Sequence, residues 1–155
     1  MDMYFRLSYF LIFLFCISVS CSAVVIEPGK DGDGYSWSGS TLTITGASEE
    51  YTLSNAISNS ITIHVDVQEV TLDGNGVSIT GIRGQPTLDL RNVHVDGGIL
   101  QKSQHYDDIY GITECRNIEN SVIVVRRTTT ASRADPTYGI GKLYGNLRKP
   151  MKSMA

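Results

Sequence analysis

The chain has few means of covalent stapling and no apolar run of the ~20 residues that a membrane span requires. Two of its three cysteines, Cys16 and Cys21, lie in the first 23 residues. If that segment is removed, Cys115 alone remains and an internal disulfide is excluded. Cys115 stands between Glu114 and Arg116 near apolar strand positions, so its expected role is that of a buried small hydrophobe. No stretch repeats apolar residues at the 3.6-residue helical period over a useful length, which excludes an architecture built from helices. Dense clusters of one charge are also missing. The net charge of −3 conceals −9 over residues 24–115 and +6 over residues 116–155, but the late basic residues are scattered among Thr, Gly and Tyr. Nucleic-acid binding is therefore not expected.

Residues 1–23 read as a signal peptide. Arg6 opens a short n-region, Leu7 to Val19 is almost wholly apolar, and Cys21-Ser22-Ala23 offers small residues before a cut. An uncleaved anchor reaching Ile26 and a lipoprotein modified on Cys21 are the alternatives. Export to the exterior or the cell surface is expected, and any membrane contact is expected to run through this segment alone. The remaining 132 residues (155 less 23) suffice for one domain.

Period-two alternation occurs repeatedly: Leu42 and Ile44; Ile61, Ile63, Val65 and Val67; Val77 and Ile79; Val93 and Val95; Val122 and Val124. Such alternation places apolar side chains on one face of a strand, so the chain is expected to be all-β. Turn residues separate the strands at 29–34, 46–48, 73–76, Gly81, Gly84, 97–98 and 135–136.

The segment 70–81, Val-Thr-Leu-Asp-Gly-Asn-Gly-Val-Ser-Ile-Thr-Gly, returns in part sixteen residues later as Pro-Thr-Leu-Asp-Leu-Arg-Asn-Val-His-Val-Asp-Gly at 86–97. Units this short cannot each bury a core, so they are expected to stack as coils. Asn59, Asn75, Asn92, Asn117 and Asn146 recur before aliphatic residues and suit left-handed turns that can form a hydrogen-bonded column. Tyr110-Gly111-Ile112 returns as Tyr138-Gly139-Ile140. Stacking at sixteen places Leu72 over Leu88, Val77 over Val93 and Ile79 over Val95, with Tyr35 and Trp37 covering the N-terminal end. A β-sandwich is the competing architecture.

These repeats resemble rungs of the right-handed parallel β-helix, pectate-lyase-like superfamily. The opening Gly34-Tyr35-Ser36-Trp37-Ser38-Gly39-Ser40-Thr41-Leu42-Thr43-Ile44-Thr45-Gly46 is similar to the first rung of its adhesin-like microbial surface proteins. The resemblance covers about residues 34–147. It implies a solenoid of a few rungs, a short or truncated copy of longer relatives. The expected division is a signal helix over 1–23, a linker and N-terminal cap over 24–40, a parallel β-helix over 41–147 and a disordered tail over 148–155.

Three constellations bear on chemistry. Asp73 and Asp89 hold equivalent places in the sixteen-residue repeat, with Arg91 two residues on. Stacked carboxylates can hold calcium, and an Arg beside them suits a lyase or hydrolase of acidic polysaccharide, although turn chemistry and surface charge balance account for them better. The pairs His64/Asp66 and His94/Asp96 share outward strand faces but are expected two coils apart, too far to share a metal. Asp31-Gly32-Asp33-Gly34 begins like a calcium loop but lacks the later ligands, and the threonines at 41, 43 and 45 are not continued by neighbouring rungs. Tyr106, Tyr110, Tyr138 and Tyr144 concentrate in the later half, where Tyr106, Tyr110 and Tyr138 are candidates for stacking on sugar rings, although Tyr-Gly-Ile as a rung motif whose tyrosine packs against the coil is the better-supported reading. The expected function is non-catalytic: a monomeric surface protein, without cofactor or bound metal, presenting a rigid flank to glycan or protein. The enzyme using Asp73, Asp89 and Arg91 is the alternative.

Overall fold

In the computed structural model of the chain, residues 23–46, 50–58, 60–102, 107–126, 137–148 and 152–154 are described. The expected signal segment, Asn59 and Tyr106 fall outside them, Ala23 excepted. All regular structure among the described residues is strand.

Strand β1 (Val24–Ile26) precedes a hairpin of β2 (Tyr35–Ser38) and β3 (Thr41–Ile44), and β4 (Glu50–Leu53) and β5 (Thr62–Val65) follow. From there the strands fall into groups. The first is β6 (Thr71–Asp73), β7 (Ser78–Ile79) and β8 (Gly81–Arg83). The second is β9 (Asp89–Arg91) and β10 (His94–Gly97), then the hairpin strand β11 (Ile99–Lys102) and β12 (Asp107–Cys115). The third is β13 (Asn117–Glu119), β14 (Val122–Val125) and β15 (Thr137–Leu143), after which come β16 (Leu147–Arg148) and β17 (Lys152–Met154).

Three sheets result. The first runs β1-β4-β6-β9-β13-β16 and the second β7-β10-β14-β17, both parallel throughout. The third runs β2-β3-β5-β8-β12, with β11 and β15 also on β12. It is parallel except where β2 meets β3 and β11 meets β12. From β6 onward the chain visits the first, second and third sheets in the same order three times and starts a fourth pass with β16 and β17. Parallel neighbours come from successive passes, because a parallel pair needs a crossover between its strands.

Alternation puts one side chain in two on the inside, and parallel stacking at about 4.8 Å turns these into columns. In the first sheet Tyr51, Leu72, Leu90 and Ile118 lie in register and are buried; Leu42, Ile63, Ile82 and Ile112 do the same in the third, and Ile79, Val95 and Ile123 in the second. Leu72, Leu88, Val77 and Val93 all point inward, as expected. Cys115 is fully buried, and that burial pushes its thiol up to about 12, as suits a small hydrophobe.

The sixteen-residue register needs correction. Ile79 pairs with Val95 in the second sheet as expected, but in the first sheet Leu72 pairs with Leu90, Thr71 with Asp89 and Asp73 with Arg91. The corner at Gln85–Thr87, closed by the Leu88 N–H donating to the Gln85 carbonyl at 3.1 Å, lengthens this pass by two residues before β9 begins. Leu88 fills that corner instead of capping Leu72.

The asparagine column is also different. Asn75, Asn92 and Asn120 take φ of 50°, 51° and 44° at the same corner of successive passes. The Asn120 side-chain amide donates to the Asn92 side-chain Oδ1 at 2.7 Å, whereas the Asn75 side-chain amide donates to the Leu53 backbone carbonyl at 3.1 Å. Asn117 belongs to strand β13, where its side-chain oxygen accepts the Asn146 N–H at 2.9 Å. β1 adds a parallel strand within the stretch read as a linker, and the Asp31 carboxylate orders the next turn by accepting the Trp37 N–H at 2.7 Å. β17 pairs with β14 within the stretch read as a disordered tail. Tyr35 is buried on the terminal hairpin, its ring edge-on to Tyr51 at 6.4 Å.

Candidate functional site

The two-residue shift in register separates the candidate acids. Asp73 lies beside Arg91 on the outward face of the first sheet, and Asp89 lies in the other outward row beside Thr71 and Asn117. Arg91 Nε donates to Asp73 Oδ2 at 2.8 Å while its Nη2 pairs with Glu50. Asp73 also accepts the Asn75 N–H at 2.8 Å and the Asn92 amide at 3.0 and 3.2 Å. Arg116 grips Asp89 through two bonds of 2.9 and 2.7 Å, reaches Glu69 at 3.0 Å, and leaves Asp89 Oδ1 to accept Asn117 at 2.8 Å. Arg116 is the residue that inspection of the sequence missed. It lies 27 residues from Asp89 in the chain, and no local pattern signals that pairing.

Both carboxyls are held below the usual carboxylate range. For Asp73, burial alone acts upward, but the Asn75 N–H, the Asn92 amide and Arg91 together outweigh it. For Asp89 the Arg116 guanidinium is the largest cause, opposed by burial and reinforced by Asn117. Groups so depressed stay ionised and cannot act as general acids near neutrality. Each forms a charge clamp between successive passes. Their folded pKa lies below the unfolded value of about 3.9, so their stabilisation is complete above that value and is lost as pH falls through the folded pKa. Thermal melts from pH 7 down to about pH 2 should therefore show stability falling below about pH 4, with a shallower fall in Asp73→Asn/Asp89→Asn. An equal fall in that double variant would show the clamps to be energetically silent.

The histidines occupy different sheets. His64 lies on β5 of the third sheet, paired with Thr43 and Arg83, while His94 lies on β10 of the second, between Ser78 and Val122. Different sheets, as well as different passes, separate them. Asp96 beside His94 is taken by Arg126, with one bond at 3.1 Å, and its carboxyl is held low by that guanidinium. Among the described residues no group of three or more His, Cys, Asp or Glu is placed to hold a metal ion.

A cleft of about 750 Å³ opens on the third sheet. Its floor follows one outward row, His64, Arg83, Thr113 and Gly141, which are neighbours on β5, β8, β12 and β15. Ile99, Leu100 and Gln101 of β11 wall it, because β11 folds back antiparallel on the first half of β12. The hairpin strand β11 is inserted between β10 of the second sheet and β12 of the third.

Tyr110 lines this cleft, and its ring stacks on that of Tyr138 at 5.3 Å and 17°. The repeated Tyr-Gly-Ile explains the contact: Tyr110 pairs with Tyr138 and Ile112 with Ile140 in register. A bulky ring fits beside Gly141, whose absent side chain leaves space against the Tyr110 ring. Tyr110 donates to Asp108 at 3.1 Å, and burial followed by that carboxylate raises its pKa, so its hydroxyl stays protonated. Tyr138 keeps 42% of its surface exposed. Arg83 and Lys142 make no ion pair among the described residues, unlike Arg91, Arg116 and Arg126. The cleft carboxylates Asp108 and Glu114 lie six residues apart on one strand, about 20 Å at ~3.3 Å per residue, beyond the separations of roughly 5–9.5 Å that glycosidic cleavage uses. The arrangement offers aromatic faces, hydroxyls and two cations without an ion pair among the described residues, a combination suited to binding. Comparison with protein-family models, with curated proteins and with solved structures finds no match to this chain.

Proposed function

We propose that the chain is an exported right-handed parallel β-helix of a few coils that adheres to glycan, as a monomer and without catalysis, through the flank bearing Tyr110 and Tyr138. The ordered passage through two parallel sheets and a third that is largely parallel supports the coil. The stacked tyrosine pair beside the hairpin-walled cleft carries the binding role, since an exposed aromatic face presents broad apolar area with a polar tip to a sugar ring. Among the described residues tight turns, not walls, adjoin Asp73, Asp89 and Arg91, so the non-catalytic reading is favoured over a polysaccharide lyase or hydrolase.

Binding of the purified chain to a panel of immobilised neutral and acidic glycans tests this. Tyr138→Ala should weaken binding about three- to tenfold, the worth of one aromatic contact, with an unchanged melting temperature. Arg83→Ala should act most on acidic members of the panel. Binding indifferent to Tyr138→Ala and Tyr110→Ala, or capture of protein ligands alone, would move the site elsewhere. Release of unsaturated or reducing ends, lost in Asp89→Asn and Arg91→Ala, would restore the enzyme. Secreted material beginning at Val24 is the matching check on export.

A further inference from the structure

The chain contains a single Asn-Gly step, Asn75-Gly76, and both residues are exposed at the corner between β6 and β7. Asn-Gly is chemically the weakest asparagine step, because glycine puts no side chain in the way of its own nitrogen. The corner holds both reacting groups. Gly76 N–H donates to the Asn92 carbonyl of the next pass at 2.9 Å, and the Asn75 amide nitrogen donates to the Leu53 carbonyl of the previous pass at 3.1 Å. Asn75 and Gly76 are both left-handed, with φ of 50° and 73°, and the Asn75 N–H is tied to Asp73. Asn92 and Asn120 hold the same corner on later passes but precede Val93 and Ser121.

We propose that Asn75 is a self-modification site whose deamidation is held back by the stacked passes above and below it and released when the β6–β9 layer opens. In the reaction the Gly76 nitrogen, having lost its proton, attacks Asn75 Cγ. The Cγ–Nδ2 bond breaks and ammonia leaves, giving a succinimide. Water then opens the ring at one of its two carbonyls to yield aspartate or isoaspartate, so that the sum is amide plus water to carboxylic acid plus ammonia. In the folded chain the attacking nitrogen is engaged by Asn92 and the leaving amide by Leu53, so the stack must loosen first. The product removes the donor to Leu53 and sets a new carboxylate next to Asp73. Isoaspartate also adds a methylene to the main chain, which the turn closed by Val77 N–H on the Gly74 carbonyl at 2.8 Å does not accommodate. Each event therefore unfastens the layer irreversibly.

The test is peptide mapping by mass spectrometry of the full chain incubated in mildly alkaline buffer, folded or unfolded in guanidinium chloride. Conversion should occur first at Asn75 and should be at least about tenfold slower in the folded chain. Arg91→Ala, which removes the clamp on Asp73 and Glu50, should speed it about threefold or more, and Arg126→Ala, on the second sheet, should leave it unchanged. Should Arg91→Ala fail to fold, a rate that rises with sub-denaturing guanidinium before global unfolding gives the same reading. Equal rates in folded and unfolded chain, first conversion at Asn92 or Asn120, or a rate that follows only global unfolding would each overturn the proposal.

Discussion

Val93→Asp is expected to cost about 3–5 kcal/mol, the range for a buried charge left without a partner, and so a large fraction of the roughly 5–15 kcal/mol by which native proteins are stable. Val93 is 1% exposed at the corner between β9 and β10. Its N–H donates to Ser121 Oγ at 3.1 Å and its carbonyl accepts the Val122 N–H at 2.8 Å, so the backbone cannot swing the new side chain outward without breaking the link to the next pass. The Arg91 guanidinium is committed to Asp73 and Glu50 on the outer face. Val93→Asn should cost less, because no charge is buried. Denaturant midpoints of the two variants at neutral pH provide the check, and an unchanged midpoint in Val93→Asp would place this residue on the surface and overturn the inward register.

Gly34→Ala should be the most damaging single methyl addition near the first pass, costing about 2–5 kcal/mol from two separate causes. Gly34 has φ of +71°, a conformation that costs an L side chain roughly 1–2 kcal/mol. The added methyl would overlap the Tyr51 hydroxyl and stand 2.7 Å from Gly46 Cα. Tyr51 is fully buried and cannot retreat, so the overpacking term of roughly 1–3 kcal/mol is added. Gly39→Ala separates the causes, since Gly39 has φ of +58° but open space around it and should cost only the backbone term of about 1–2 kcal/mol. Equal loss in the two variants would mean that the Tyr51 cage contributes nothing.

The lyase candidates show where inspection of the sequence misleads. Asp73 and Asp89 look equivalent because Thr-Leu-Asp recurs at sixteen residues, yet Asp73 meets Arg91 and Asp89 meets Arg116. The stacked tyrosines show the reverse: Tyr-Gly-Ile recurs at the interval that the structure uses, and the rings meet. The two cases differ in what lies between the copies. From Tyr110 to Tyr138 the chain makes one full pass, so like residues share a column. Between Asp73 and Asp89 the pass is two residues longer in the first sheet than the repeat implies.

The sequence by itself determined that the regular structure of the described residues is strand and, for most strands, which side chains point inward; in β14 the face is reversed, Ile123 and Val125 being buried where Val122 and Val124 were expected. Alternation and left-handed turn residues act over a few bonds, through the direction of Cβ and the steric demands of φ, and need no distant partner. The tertiary structure alone decided the register of each sheet, the pairing of Arg116 with Asp89, the assignment of His64 and His94 to different sheets, and the fold-back of β11 that walls a cleft beside Tyr110. Each depends on how many residues a pass needs to close in space. That number is set by the corners and insertions of the whole fold, and no local stretch carries it.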